Sequence, residues 1–260
     1  MSMAWGNKIK RQLKEGKVTV GTWITYPDIH YAANMGRVGF DWVVLDLEHS
    51  PINMESAAAS LVVLNAGPTV PLVRVPRGNV ENIKRVLDAG AWGFVAPMVN
   101  TREEAAEVIA AAKYPPLGLR SVGAYATFSM GVDPPTYYQR ANEEILVVVQ
   151  IESVQAIEHL DEILAVPGID CAFVGPADLS FSLGLKPQLD NEDPSYLEAT
   201  QAVLDACARR GMPAGTMVLT ADAANAAIRR GFRFISLGAD RVLLPRFFRQ
   251  ELQRITRGIA

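Results

Sequence analysis

The chain is predicted to fold as a (β/α)8 TIM barrel, a single α/β domain over residues 1–260. Three observations predict this. Short apolar runs bounded by turn signals alternate with helical intervals along the whole length, which is the pattern of a parallel sheet. Eight such alternations can be counted, and eight is the number that closes a barrel. No glycine-rich dinucleotide turn follows the first strand, which removes the main ground for the rival open, doubly wound sheet. A length of 260 residues is ordinary for this fold, and 49% hydrophobic residues can fill its core.

In chain order, a short basic helix near the N-terminus precedes a first strand over 18–24. Tyr26-Pro27-Asp28 then opens a helix through Asn34. The second strand, 41–48, is followed by Pro51-Ile52-Asn53 and an alanine-rich helix ending near Gly67. The third, 70–75, leads into a helix over 80–89. The fourth, 93–98, precedes Thr101-Arg102-Glu103-Glu104, a capping-box pattern that opens a helix to Lys113. Strands five and six are I-L-V-V-V-Q-I-E from Ile145 and C-A-F-V from Cys171. Strands seven and eight lie at 213–219 and 232–237, each followed by a helix. Roughly thirty residues, Tyr114 to Glu144, separate the fourth helix from the fifth strand, far more than the usual handful. Their glycine, small-residue and aromatic content suggests a lid or binding segment, with room for a small helix.

Composition excludes several function classes. A net charge of −3 without a basic stripe argues against nucleic acid or an anionic membrane as partner. The N-terminus lacks an apolar leader and no run is long enough to span a bilayer, so a cytoplasmic location is expected. Cys171 and Cys207 form no disulfide framework and are expected as buried thiols.

Barrel chemistry is carried at the C-terminal ends of strands. The polar residues there are Asp46, Glu48, His49, Arg74, Gln150, Glu152 and Asp178. Alternation sets Leu146, Val148, Gln150 and Glu152 on one face, and Asp178 follows the Gly175-Pro176 breaker on the next strand. Two acids on neighbouring strand ends, with no cysteine and no second strand-end histidine, suit a hard ion such as Mg²⁺ or Mn²⁺. An arginine within an apolar strand requires an anion. For Arg74 that is a substrate or, less interestingly, a neighbouring strand-end acid. His49 follows Asp46 by three residues, close enough for a carboxylate to fix the imidazole tautomer. By itself, that spacing equally suits a histidine satisfying a loop carbonyl. His30 and His159 fall on predicted helices. No lysine ends a strand, which argues against imine catalysis.

The motifs D-W-V-V-L-D-L-E-H-S-P (41–51), P-L-V-R-V-P (71–76), Y-P-P-L-G-L-R-S-V-G (114–123), V-Q-I-E-S (149–153) and V-G-P-A-D-L-S (174–180) resemble the HpcH/HpaI aldolase family over nearly the whole length. The resemblance implies a metal-dependent, class II pyruvate aldolase that cleaves 4-hydroxy-2-oxo acids to pyruvate and an aldehyde through a metal-stabilised enolate. It implies Glu152 and Asp178 as ligands of Mg²⁺ or Mn²⁺, with Co²⁺ a further candidate. Arg74 and Gln150 would hold the oxo acid, and His49, oriented by Asp46, would be the acid–base partner acting through a metal-bound water. Backbone N–H groups around Ala177 and Asp178 would receive the pyruvate carboxylate. Glu48 and Asp88 would support the site from behind or across a subunit contact. A homohexamer, a trimer of dimers that exchange the last helix (240–259), is also implied. One departure is Ala124, where heptanedioate-cleaving members carry a serine that reaches the distal acceptor; with Tyr125 and Phe128 it makes that side bulkier and less polar. The A-Y-A-T-F-S stretch is also similar to macrophomate synthase, which makes oxaloacetate decarboxylation the alternative reading. A citrate-lyase-like acyl-CoA lyase stands further off, because no basic loop suits the CoA phosphates.

Overall fold

The computed structural model describes residues 5–255. Its strands are β1 (Thr19–Ile24), β2 (Trp42–Asp46), β3 (Val70–Arg74), β4 (Gly93–Ala96), β5 (Leu146–Ile151), β6 (Cys171–Val174), β7 (Ala214–Val218) and β8 (Phe234–Ala239). They close in sequence order into a barrel, every neighbouring pair parallel and β8 returning to β1. The (β/α)8 expectation is met. β8 begins two residues later than the apolar run predicts. Gly231, at φ 122°, ends the helix Ala221–Arg230, and the Phe232 N–H closes that end onto the Ala227 carbonyl instead of pairing with a strand.

Alternation along each strand divides two cores. The outward rows, such as Val147, Val149 and Ile151 of β5, pack under the surrounding helices. The inward rows, such as Trp42 and Val44 of β2, Leu72 of β3, Val148 of β5 and Phe173 of β6, fill the barrel itself. Gly21 is required there, because a Cβ would lie 2.1 Å from the Trp42 ring, which instead stacks on Phe234 at 3.9 Å. The helix Lys8–Lys14 plugs the N-terminal end with Ile9 and Leu13. Its Lys10 ammonium donates to the Ile145 carbonyl and pairs with Asp170 at 2.8 Å. Lys113 is also buried at this end, and burial pushes its ammonium down to about 8. The buried lysines therefore lie at strand starts and not at strand ends.

The connection 114–144 contains a short 3-10 turn (Thr127–Met130) and a full helix (Pro134–Glu144). It joins a helix end to the start of β5, so it lies at the N-terminal end of the barrel. It cannot close over this chain's own strand ends, which corrects the simple lid reading. Thr101 caps its helix through the Glu104 N–H, but Glu104 reaches the Asn100 N–H instead of completing the expected box. The reciprocal box is formed by Asn53 and Ser56.

The last helix, Asp240–Arg254, contacts β1 and β8 near its start and then extends with Phe247 and Phe248 more than half exposed. Residues 256–259 of the segment expected to exchange lie outside the described residues. Among the described residues no helix is long and apolar enough to cross a membrane.

Candidate active site

The inward rows deliver polar residues to one end of the barrel. Trp42-Val44 runs on to Asp46, Val70-Leu72 to Arg74, Leu146-Val148 to Gln150, and Cys171-Phe173 to Gly175. Period-two geometry places these four ends on the same rim. β2 and β3 are in register at Asp46 and Arg74. The guanidinium accordingly meets the carboxylate in bidentate fashion, Nε to Oδ1 at 2.9 Å and Nη2 to Oδ2 at 2.7 Å. Burial alone would raise the Asp46 carboxyl, but the Arg74 hydrogen bonds and charge outweigh it and hold it below the usual range.

Glu48 turns back toward the same arginine, its Oε2 3.0 Å from Arg74 Nη1 but off the hydrogen-bond line, and its Oε1 is 3.8 Å from His49 Nε2. Burial raises the Glu48 carboxyl despite Arg74 and His49. Asp46 accepts the backbone N–H groups of Glu48 and His49. It thus fixes the loop that carries the imidazole, and the carboxylate nearest the ring is Glu48. Asp46 was expected to orient the ring itself; its oxygens are instead taken by Arg74 and the backbone. The Arg74 guanidinium lies 4.4 Å from the ring centre of Trp23, a face contact that suits a cation shielded from water.

Across the rim, Glu152 is buried (3% exposed) and follows Gln150 by two residues. Its Oε2 accepts from Gln150 Nε2 at 2.8 Å and its Oε1 from the Met98 N–H at 2.8 Å. Met98 adopts φ 52°, a left-handed conformation that costs a non-glycine residue about 1–2 kcal/mol and here aims an N–H at Glu152. Gly175 sits so close that a Cβ would lie 2.0 Å from Glu152 Oε2, so only glycine leaves room for the Glu152 carboxylate beside the end of β6. Burial pushes the Glu152 carboxyl up to about 7 against the Met98 hydrogen bond, and the negative Asp178 adds to the rise. Asp178 and Ala177 occupy the first turn of the helix Pro176–Ser182.

The buried Glu152 carboxylate with its raised proton affinity, the Asp178 carboxylate near enough to add to that rise, and the unpartnered buried oxygen Gln150 Oε1 are candidate oxygen donors. Such a set fits a hard divalent cation. Among the described residues, no group of three or more Asp, Glu, His or Cys side chains is gathered for a metal. Two carboxylates would therefore leave open positions for substrate oxygens or water.

Asp46, His49, Arg74, Gln150, Ala177 and Asp178 line one cavity of about 200 Å³. A larger cleft, about 630 Å³ beside Trp5, Trp92 and Arg140, lies at the opposite end of the barrel; convergence of ionisable groups, not volume, marks the site. Asp88, Ala124 and Tyr125 are not brought to it. Asp88 ends the helix Val80–Asp88 near the start of β4 and pairs with Arg120 at 2.7 Å, while Ala124 donates its N–H to Tyr138. The residue reading missed Trp23, Phe173, Met217, Leu189, Arg241 and Val242, all in the cavity wall. Trp23, Phe173 and Met217 sit on strands, where they read as ordinary core, while Leu189 comes from a loop and Arg241 and Val242 from the first turn of the last helix, none with a motif of its own.

Residues 20–245 match the HpcH/HpaI aldolase/citrate lyase family. A hydroxypyruvate/pyruvate aldolase of Deinococcus radiodurans is 40% identical over 92% of this chain and 86% of that protein. A 5-keto-4-deoxy-D-glucarate aldolase of Shigella boydii is 35% identical over 90% of each. The crystal structure of an HpcH/HpaI aldolase/citrate lyase family protein from Burkholderia cenocepacia superposes with a TM-score of 0.88 at 34% identity, covering 95% of this chain and 98% of the other.

Proposed function

Since the chain belongs to the HpcH/HpaI aldolase/citrate lyase family, we propose that it is a class II aldolase in which the rim of Arg74, Gln150, Glu152 and Asp178 cleaves 4-hydroxy-2-oxo acids reversibly to pyruvate and an aldehyde. It is a carbon–carbon lyase, as its aldolase relatives over most of its length are named. The observation that carries the reading is the pairing of two functions on one rim. The candidate donor Asp178 and the buried guanidinium of Arg74 line one cavity, and the buried Glu152, which does not itself line it, lies behind Gln150, whose Nε2 donates to Glu152 Oε2.

Glu152 and Asp178, with Gln150 beside them, would hold a divalent cation such as Mg²⁺, Mn²⁺ or Co²⁺. When bound, such an ion acts as a Lewis acid toward the 2-oxo acid. The N–H groups of Ala177 and Asp178 receive the substrate carboxylate. Arg74, locked by Asp46, presents a fixed donor to the ketone oxygen, where charge develops as the enolate forms; such a preorganised donor is worth about 10²–10³ in rate. In the cleavage direction His49, through a water, takes the proton of the 4-hydroxyl. The C3–C4 bond breaks, its electrons pass into the enolate, the aldehyde departs, and a proton returned to C3 completes pyruvate. Glu48, near both Arg74 and His49, balances their charge.

Asp88 and the 117–128 segment lie at the wrong end of the barrel to serve this chain's own site. They fit a role toward a neighbouring subunit, as does the exposed apolar run of the last helix. The homohexamer, a trimer of dimers, that the family resemblance implies would give these surfaces that role. The free buried thiols Cys171 and Cys207 suit a reducing cytoplasm.

The substrate test compares pyruvate release from 4-hydroxy-2-oxo acids with carbon dioxide release from oxaloacetate, each with Mn²⁺ and with a chelator. Faster metal-dependent cleavage of the hydroxy-oxo acids supports the aldolase. Turnover of oxaloacetate alone replaces it with a decarboxylase working through the same enolate.

A further inference from the structure

We propose that Asn100 is a positioning residue for the cation site, acting through Met98 to hold the Glu152 carboxylate in its binding orientation. The proposal rests on the aldolase reading and deepens it by naming what keeps the buried acid set for the ion. The chain leaving β4 runs Pro97-Met98-Val99-Asn100 and wraps the end of β5. A left-handed residue turns its own N–H and the next one toward the same side. Here both meet β5: the Met98 N–H donates to Glu152 Oε1 at 2.8 Å, and the Val99 N–H donates to the Gln150 carbonyl at 3.3 Å. With Gln150 Nε2 donating to Oε2 at 2.8 Å, both Glu152 oxygens are held, and each keeps a second lone pair for a cation.

A residue other than glycine stays left-handed only where its surroundings over-determine it. The Met98 side chain is half exposed, so packing alone does not hold it there. Asn100 supplies the constraint. Its Nδ2 donates back to the Met98 carbonyl at 2.9 Å, closing a small ring around the strained residue. The amide is fixed in turn, because its Oδ1 accepts from the Ser153 hydroxyl, and that hydroxyl oxygen caps the helix Val154–Glu158 through the Ala156 N–H at 3.0 Å. The Asn100 main chain is tied as well, its N–H donating to Glu104 Oε2 at 2.7 Å and its carbonyl lying 3.2 Å from His159 Nδ1. Two hydrogen bonds and one strained residue therefore link Asn100 to Glu152. Since Ser153 directly follows Glu152, the loop grips the acid from both sides. The simpler alternative is that Asn100 only ties the loop to the helix start through Ser153.

The experiment measures Mn²⁺ affinity of the full chain without substrate, from the EPR signal of the unbound ion. Asn100→Ala removes both side-chain contacts and is expected to weaken binding about tenfold or more, the usual effect of losing a group that orients a metal ligand. Met98→Gly alone should bind as the wild type does, because glycine takes a positive φ freely. The double variant Met98→Gly/Asn100→Ala should recover most of the lost affinity, since the left-handed turn then no longer needs the amide. A role confined to tying the loop to the helix predicts no recovery or a further loss, and that result would overturn the proposal. So would an unchanged affinity in Asn100→Ala. If Asn100→Ala alone does not fold by circular dichroism, the double variant still decides: near wild-type affinity supports the proposal, and a tenfold loss overturns it. Failure of either kind in a protein whose wild type binds Mn²⁺ and exchanges the pyruvate methyl protons removes this inference alone. A wild type that takes up no Mn²⁺ removes the cation reading beneath it and the proposal with it.

Discussion

Glu152 shows how much of the site's behaviour follows from a single placement. Burial, with the negative Asp178 adding to it, pushes its carboxyl up to about 7, against 4.5 for the ordinary group. Without a cation the folded state therefore binds more protons than the unfolded chain between those values. The stability this gives is fully present below about pH 4.5 and is lost as pH rises through 7, a swing on the order of a few kcal/mol. Thermal melts in chelator should show the wild type losing stability relative to Glu152→Gln as pH is raised from 5 to 8. Mn²⁺ should restore the wild type at pH 8 and leave the variant unmoved. Parallel pH profiles for the two proteins would contradict the assignment. The residue types at the rim were legible in sequence because strand alternation alone puts Gln150 and Glu152 on one face. The Glu48 contact with Arg74 and His49 was not, since it depends on how the loop after β2 folds back.

At the scale of elements, the eight strands and their closure into a barrel could be read from apolar runs and their count. The 114–144 connection was read as a lid or binding segment with room for a small helix; the helix Pro134–Glu144 is there, yet length carries no information about which end of a barrel a connection occupies. The rule that helix-to-strand connections return to the N-terminal end supplies it. Arg241 escaped notice for a related reason: it meets His49 across 192 positions of sequence, and only closure of β8 onto β1 brings them together. The last helix makes its own prediction. Phe247 and Phe248 are 55% and 58% exposed on an element that leaves the barrel, an apolar surface of the kind a subunit contact covers. Paired Phe247→Asp and Phe248→Asp substitutions should shift the protein toward smaller species in light scattering while its circular dichroism stays native. An unchanged mass would remove this helix from the interface.

For the whole molecule, the barrel separates stability from chemistry. The Lys8–Lys14 plug, the Lys10–Asp170 pair and the stacked Trp42 and Phe234 close one end and fill the interior. The acids, the arginines and His49 gather at the other. The central claim is that this second end makes an enolate with the help of a divalent cation. It is tested most directly by following hydrogen–deuterium exchange at the methyl group of pyruvate alone, by NMR in D₂O, with Mn²⁺ and then with excess chelator. The account predicts exchange that requires the ion, stops with chelator, and is lost in Asp178→Asn. Exchange that persists in chelator, or none with any divalent ion, would contradict it.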